Sequence, residues 1–404
     1  MALVTDAAEV AAIAAELARA PLVAFDLEFL SQDRLVPTLC LVQVAWLPAD
    51  TSLDAPAGQI VAAQPHIRLV DPLVADARPI IETLAGHTLV VAHAPRQDLG
   101  LLATRFGTSI PNIVDTQLMA AFAGIGDQVG LATLANELLG TSLQKDQQWT
   151  AWERRPLTEA QLHYAASDVR HLPALFAMLA ERLGNRLAWV REESAQVLAE
   201  AMAAAAVTPE TAWQNVGGAR GLDAPAQAAL VALAAWRQRT AIDLDRPLGQ
   251  VLNDKVLVEL AKSRPDSVGA VRSMKGMSPI AKTHASGIVE ALASAQPATA
   301  PSRPSWRASS PRAQRWSEML LAIVQIVADE TGIASRLLAT RSDAEEFARV
   351  VDERGLEAAE RLAALATWRR EVIGHLWAGW LSGALALVGD PTAPQGMRLV
   401  QRES

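Results

Sequence analysis

Short apolar runs at 22–30, 38–46, 67–70 and 88–94 alternate with stretches of helical period, and from Asp115 onward the helical pattern prevails. That alternation predicts an α/β unit. The second run follows the first too closely for a crossover helix, so the two are expected as an antiparallel hairpin in a mixed sheet. Two stretches interrupt the pattern: 208–223, with Pro209, Gly217, Gly218 and Gly221, and 296–312, with Pro297, Pro301, Pro304 and Pro311. Both read as linkers. Beyond the first, every segment has helical period and no strand stands out, so the tail is expected to be all-α. The plan is an α/β domain over 1–207, a helical domain over 222–295, a Pro/Ser/Arg-rich linker over 296–311, a second helical domain over 312–390 and a tail over 391–404. The two helical segments are similar in length and carry Trp236-Arg237 and Trp368-Arg369, which suggests paired modules.

With 404 residues, half of them apolar and a fifth charged, the chain can bury several cores, and disorder is excluded. No uncharged apolar run is long enough to span a bilayer, so no membrane association is expected. The first twenty residues read as an amphipathic helix, with Asp6, Glu9 and Glu16 in place of a signal peptide's basic start. Cys40 is the single cysteine, which excludes an internal disulfide and fits a reducing compartment, the cytoplasm. Charge is uneven: residues 1–205 hold 13 Lys and Arg against 23 Asp and Glu, whereas 222–294 hold 9 against 7. An acidic front repels a polyanion unless it holds divalent cations, while the mildly basic middle attracts one. There Arg237, Arg239, Lys255, Lys262, Arg264, Arg272 and Lys275 supply the charge. Arg303, Arg307, Arg312 and Arg315 interleave with Trp306 and Trp316 around the second linker, a nucleic-acid contact or a plain tether.

Candidate chemistry begins with Asp26 and Glu28 in VAFDLEFL, which lie two apart on a strand and share a face, with Val23, Phe25, Leu27 and Phe29 on the other. Two such close carboxylates repel unless a hard cation lies between them. Asp98 in VVAHAPRQDLGLL falls in the first turn of a helix opened by Pro95, at a strand end where ligands collect. Tyr164, the only tyrosine, and Asp168 lie one turn apart on a helix that Thr158 and Gln161 open as a capping box. Each feature alone has a structural explanation: an exposed strand end, helix-dipole stabilisation, a buried tyrosine bonded to aspartate. GIGDQVG at 124–130 fails the spacing of a dinucleotide fingerprint and reads as a loop.

Together Asp26 and Glu28, Asp98, and Tyr164 with Asp168 resemble the exonuclease motifs of the DEDD superfamily in its DEDDy branch. DLEFLSQDRLVPTLCLVQVAW, VDPL, IVDTQLMAAFAG and RPLTEAQLHYAASDVRHLPAL are similar to ribonuclease D over residues 20–180. The 222–295 segment resembles a helicase-and-ribonuclease-D C-terminal (HRDC) domain, and the third segment the family's second, divergent HRDC-like domain. One departure is Thr150-Ala151, where the family commonly shows Ser-Asp. The resemblance implies a ribonuclease H-like mixed sheet and two divalent ions, Mg2+ or Mn2+. Asp26 would bridge them, Glu28 and Asp168 complete the nucleophile side, Asp98 serve the second ion, and Tyr164 orient the attacking water. Asp115 is better explained as a helix cap. Phe29, Leu30 and Gln32 are expected beside the terminal nucleotide and Lys145 near a phosphate. The implied reaction releases nucleoside 5′-monophosphates from an RNA with a single-stranded 3′ end, such as a transfer RNA precursor. A DNA exonuclease and a non-catalytic nucleic-acid scaffold are the alternatives.

Overall fold

The computed structural model describes residues 2–143, 150–219, 221–296 and 309–402. Its larger sheet has the order β1-β4-β3-β2-β5-β6, built from Leu3–Val4 (β1), Val23–Leu30 (β2), Thr38–Trp46 (β3), His66–Val70 (β4), Val90–Ala92 (β5) and Ile113–Asp115 (β6). The expected hairpin forms: β2 and β3 pair antiparallel from Val23↔Trp46 to Leu30↔Thr38. β2 also pairs with β5, and β5 with β6, in parallel, so the sheet is mixed.

Alternation along β2 sorts its side chains between two cores. Val23, Phe25 and Leu27 bury against Val10, Ile13 and Leu17 of helix Ala7–Leu17 and against Leu102 of helix Arg96–Phe106. Leu22 and Ala24 bury on the other face with Leu175 and Leu179 of helix Leu172–Leu183. Asp26 and Glu28 continue that second face beyond the apolar core, where the sheet meets helix Glu159–Arg170. A register shift after Glu28 re-aims the end of the strand.

Downstream, the two helical segments follow one plan. Helix Ala224–Leu244 has 21 residues, as does helix Pro311–Thr331; a four-residue helix follows each, Leu248–Val251 and Ser335–Leu338, and then helices starting at Asp254 and Arg341. Each pair of starts is 87 positions apart. Asp245 and Gly332, also 87 apart, both end the long helix in the left-handed conformation. The Trp-Arg pairs do not correspond: Trp236-Arg237 lies within the first long helix, Trp368-Arg369 in the last third of the second module.

The modules are held differently. Residues 212–291 enclose their own core, around Leu230, Leu257 and Ile288, against which Leu35 of the first domain packs, and polar contacts such as Arg246 Nη1 to the Asp33 carbonyl (2.9 Å) add to the junction. The second module shares a core with the first domain, where the rings of Phe122, Trp189 and Trp368 cluster at centroid distances of 5.0–6.4 Å, Trp189 stacked on Trp368 and Phe122 edge-on to it. Both dock through the same elbow, residues 245–250 on the β2–β3 turn and 332–336 on the loop after Phe122. The all-α expectation for the tail fails at Leu385–Gly389 (β7) and Met397–Gln401 (β8), an antiparallel hairpin that crosses the expected boundary at 390/391. Leu387 and Leu399, paired across the hairpin, pack onto the shared core, while Val388 and Arg398 beside them are exposed, and Pro391, Pro394 and Gly396 lie in the connection.

Candidate active site

Carboxylate oxygens of Asp26, Glu28 and Asp168 all lie within 4.8 Å of one another. They open into a cavity of about 630 Å3 that Asp98 and Tyr164 also line. Each side chain is delivered by a local feature legible in the chain. Thr158 and Gln161 form the capping box that starts helix Glu159–Arg170, which sets Tyr164 and Asp168 one turn apart on its sheet-facing side. Arg155 anchors the approach to that helix, reaching Asp71 through Nε and Nη2 (2.5 and 2.7 Å) and the carbonyls of Cys40 and Trp152.

Asp98 is placed by a sharp turn after β5. Ala94 is left-handed (φ 53°), an uncommon conformation for a residue with a Cβ. Its N–H donates to Asp115 Oδ1 at 2.8 Å, and the same carboxylate oxygen accepts from Gln117 N as the cap of helix Thr116–Phe122. His93 Nδ1 meets Thr116 Oγ1 at 2.9 Å, which ties the turn to the same helix. Pro95 then starts the Arg96–Phe106 helix, with Asp98 buried in its first turn.

Burial raises every acid in the cleft above the ordinary carboxylate range. Asp26 is pushed to about 7, with a backbone hydrogen bond opposing burial; Asp168 to about 8, by burial and then the charge of Asp26; and Glu28 to about 9, by burial and then Asp26, Asp168 and Asp98. Asp98 rises through burial and Asp26. Among the described residues no lysine or arginine pairs with any of the four. The Tyr164 hydroxyl is also raised, by burial and by Asp168, Glu28 and Asp26, so it keeps its proton and hydrogen-bonds Asp168. Gln43, opposite Asp26 on β3, is fully buried with neither amide atom paired among the described residues. Hard oxygen donors, mutual repulsion and a spare amide fit a hydrated divalent cation.

The other expected neighbours scatter. Phe29 lines the cavity. Leu30 instead packs with Cys40, Leu41 and Trp152 beside the Glu159–Arg170 helix, and Gln32 is exposed on the β2–β3 turn. Lys145 lies outside the described residues, as do Arg303, Trp306 and Arg307. Arg312 pairs with Asp352 and stacks over Trp316 (4.9 Å). Arg237 was expected to face nucleic acid and does not: it is buried, bonded to the Leu252 carbonyl (2.9 Å) and Asp254 (2.6 Å). Its helix is central in the module, so its charge serves an internal tie.

This geometry belongs to a recognised class. Residues 1–184 match the family model described as a 3′–5′ exonuclease, and residues 226–292 match the HRDC domain. The chain is 33% identical to ribonuclease D of Gluconacetobacter diazotrophicus over 400 residues, covering 96% of this chain and 95% of that protein. It is 32% identical to ribonuclease D of Granulibacter bethesdensis, covering 92% and 90%. Its structure is similar to that of Escherichia coli RNase D, described as an exoribonuclease involved in structured RNA processing, with a TM-score of 0.78, 25% identity, and coverage of 95% of this chain and 98% of that one. The chain belongs to the ribonuclease D family of 3′–5′ exoribonucleases.

Proposed function

We propose that the cleft holds two divalent cations, Mg2+ or Mn2+, on Asp26, Glu28, Asp98 and Asp168, and hydrolyses the 3′-terminal phosphodiester of RNA to release nucleoside 5′-monophosphates. The observation that carries this reading is the convergence of three uncompensated carboxylates within 4.8 Å. Bound there, divalent ions lower the pKa of water and stabilise the departing oxygen. The chain's own contribution is to hold the acids against their repulsion and to seat the strand end beside Phe29. Tyr164, protonated and bonded to Asp168, orients the attacking water and does not remove its proton. The substrate is an RNA with a single-stranded 3′ extension, such as a transfer RNA precursor, and the reading includes a cytoplasmic location. No described helix is long and apolar enough to cross a membrane.

We also read the second module as a divergent HRDC-like domain. Its support is the 87-residue repeat of long helix, four-residue helix and third helix, and its end belongs after the β7–β8 hairpin. Both modules are read as substrate-engaging. Parallel digestion of single-stranded RNA and DNA of one sequence tests the substrate: faster release from RNA supports the reading, and faster release from DNA overturns it.

A further inference from the structure

Arg96 is the only lysine or arginine among the described residues that line the acidic cavity. It occupies the first position of the Arg96–Phe106 helix, where the helix dipole disfavours a cation and favours the neighbouring Asp98. Its guanidinium is held by Glu200 of helix Leu187–Ala205, whose other oxygen accepts from Gln196 Nε2 at 3.1 Å. The Arg96 side chain is 57% exposed and that of Glu200 43%, so water screens the pair and it is easily exchanged. The cavity holds four carboxylates against this one arginine. Two divalent ions would offset those four charges, and among the described residues lining the cavity only Arg96 could then meet the next phosphate along an RNA strand.

We propose that Arg96 grips the backbone phosphate on the 5′ side of the scissile bond, and that Glu200 is a placeholder which the phosphate displaces. This rests on the reading of the cleft as an RNA exonuclease site. It is a substrate contact, separate from the metal-binding acids.

The test compares Arg96→Ala, Arg96→Lys and Glu200→Gln on a 5′-labelled single-stranded RNA, with a second RNA carrying one uncharged methylphosphonate at that phosphate. Arg96→Ala should raise KM about tenfold and leave kcat within about twofold. The salt dependence of log KM should fall by about 0.7, as expected for one lost phosphate contact on a single strand. Arg96→Lys should recover part of the loss, and Glu200→Gln should lower KM two- to threefold. The neutral linkage should weaken the unmodified enzyme and leave Arg96→Ala unaffected. If Arg96→Ala and Glu200→Gln shift KM in the same direction with an unchanged salt slope, the pair only ties two helices and the proposal fails. It fails equally if the methylphosphonate costs both proteins the same. RNA affinity measured by anisotropy in the Asp26→Asn background reads the contact without turnover. An inactive unmodified enzyme would therefore overturn the proposed function, while an Arg96 variant binding RNA normally would overturn this inference alone.

Discussion

Two sets of buried and half-buried acids sit on opposite terms in this molecule. Asp71, 1% exposed, is met by a two-pronged arginine, Arg155, whose remaining donors reach backbone carbonyls. Glu193 is likewise bracketed by both terminal nitrogens of Arg369 (2.6 and 2.8 Å) and by Trp368 Nε1 (3.0 Å). In the cleft, Asp26, Glu28, Asp98 and Asp168 face one another with no such partner among the described residues, and all four titrate high. The chain thus saturates acids that fix structure and leaves unsaturated those that wait for a ligand. Charge frustration concentrated in one cavity is the physical mark of a binding site.

The comparison breaks first on substitution within the cleft. Asp26→Asn should lower turnover by about 10³-fold or more, equivalent to about 4 kcal/mol of barrier. In metal-free buffer at pH 8.5, where Asp26 is ionised, it should also stabilise the protein by about 1 kcal/mol, because one repelling charge is gone. Equal losses of activity and stability, from single-turnover assays and urea melts, would show that Asp26 is structural. Arg155→Ala should do the reverse. It leaves Asp71 charged, buried and unpaired, at a cost of about 3–5 kcal/mol in urea unfolding, and it reaches activity only through the displaced Glu159–Arg170 helix.

Titration sharpens the contrast. Carboxyls that titrate near 4 when unfolded but at about 7, 8 and 9 in the folded cleft stabilise the metal-free protein at low pH. That contribution is present below pH 4 and is lost as pH rises through 7 to 9. The metal-free melting temperature should therefore fall over that window, and Mn2+ should stabilise the protein more at pH 8.5 than at pH 6. A Mn2+ shift independent of pH would contradict the proton-loaded cleft. A smaller effect falls on Tyr164→Phe, which should lower kcat about 10- to 100-fold while KM changes little. A neutral outcome would remove Tyr164 from the reaction.

What could be read in the sequence divides along the same line. Asp26 and Glu28 were visible because strand periodicity puts them on one face, and Thr158, Gln161, Tyr164 and Asp168 because a capping box fixes their helical phase. Pro95 marked the helix that carries Asp98. These signals are local. The structural acids were not legible as pairs: Arg155 lies 84 residues from Asp71 and Arg369 lies 176 from Glu193, and no period links them. Arg237 looked like the surface cations near it, because burial in a central helix depends on what packs around that helix. The β7–β8 hairpin was hidden in an apolar run that helix and strand share until the shared core selects one face.

The most direct measurement incubates the purified chain with a 5′-labelled RNA bearing a single-stranded 3′ end, in Mg2+ or Mn2+ and in excess chelator, beside Asp26→Asn and Asp168→Asn. The account predicts a ladder shortening one nucleotide at a time from the 3′ end, with nucleoside 5′-monophosphates released, only in metal and only with the unsubstituted protein. A ladder that persists in chelator or in either variant, or no ladder under any metal, would contradict it.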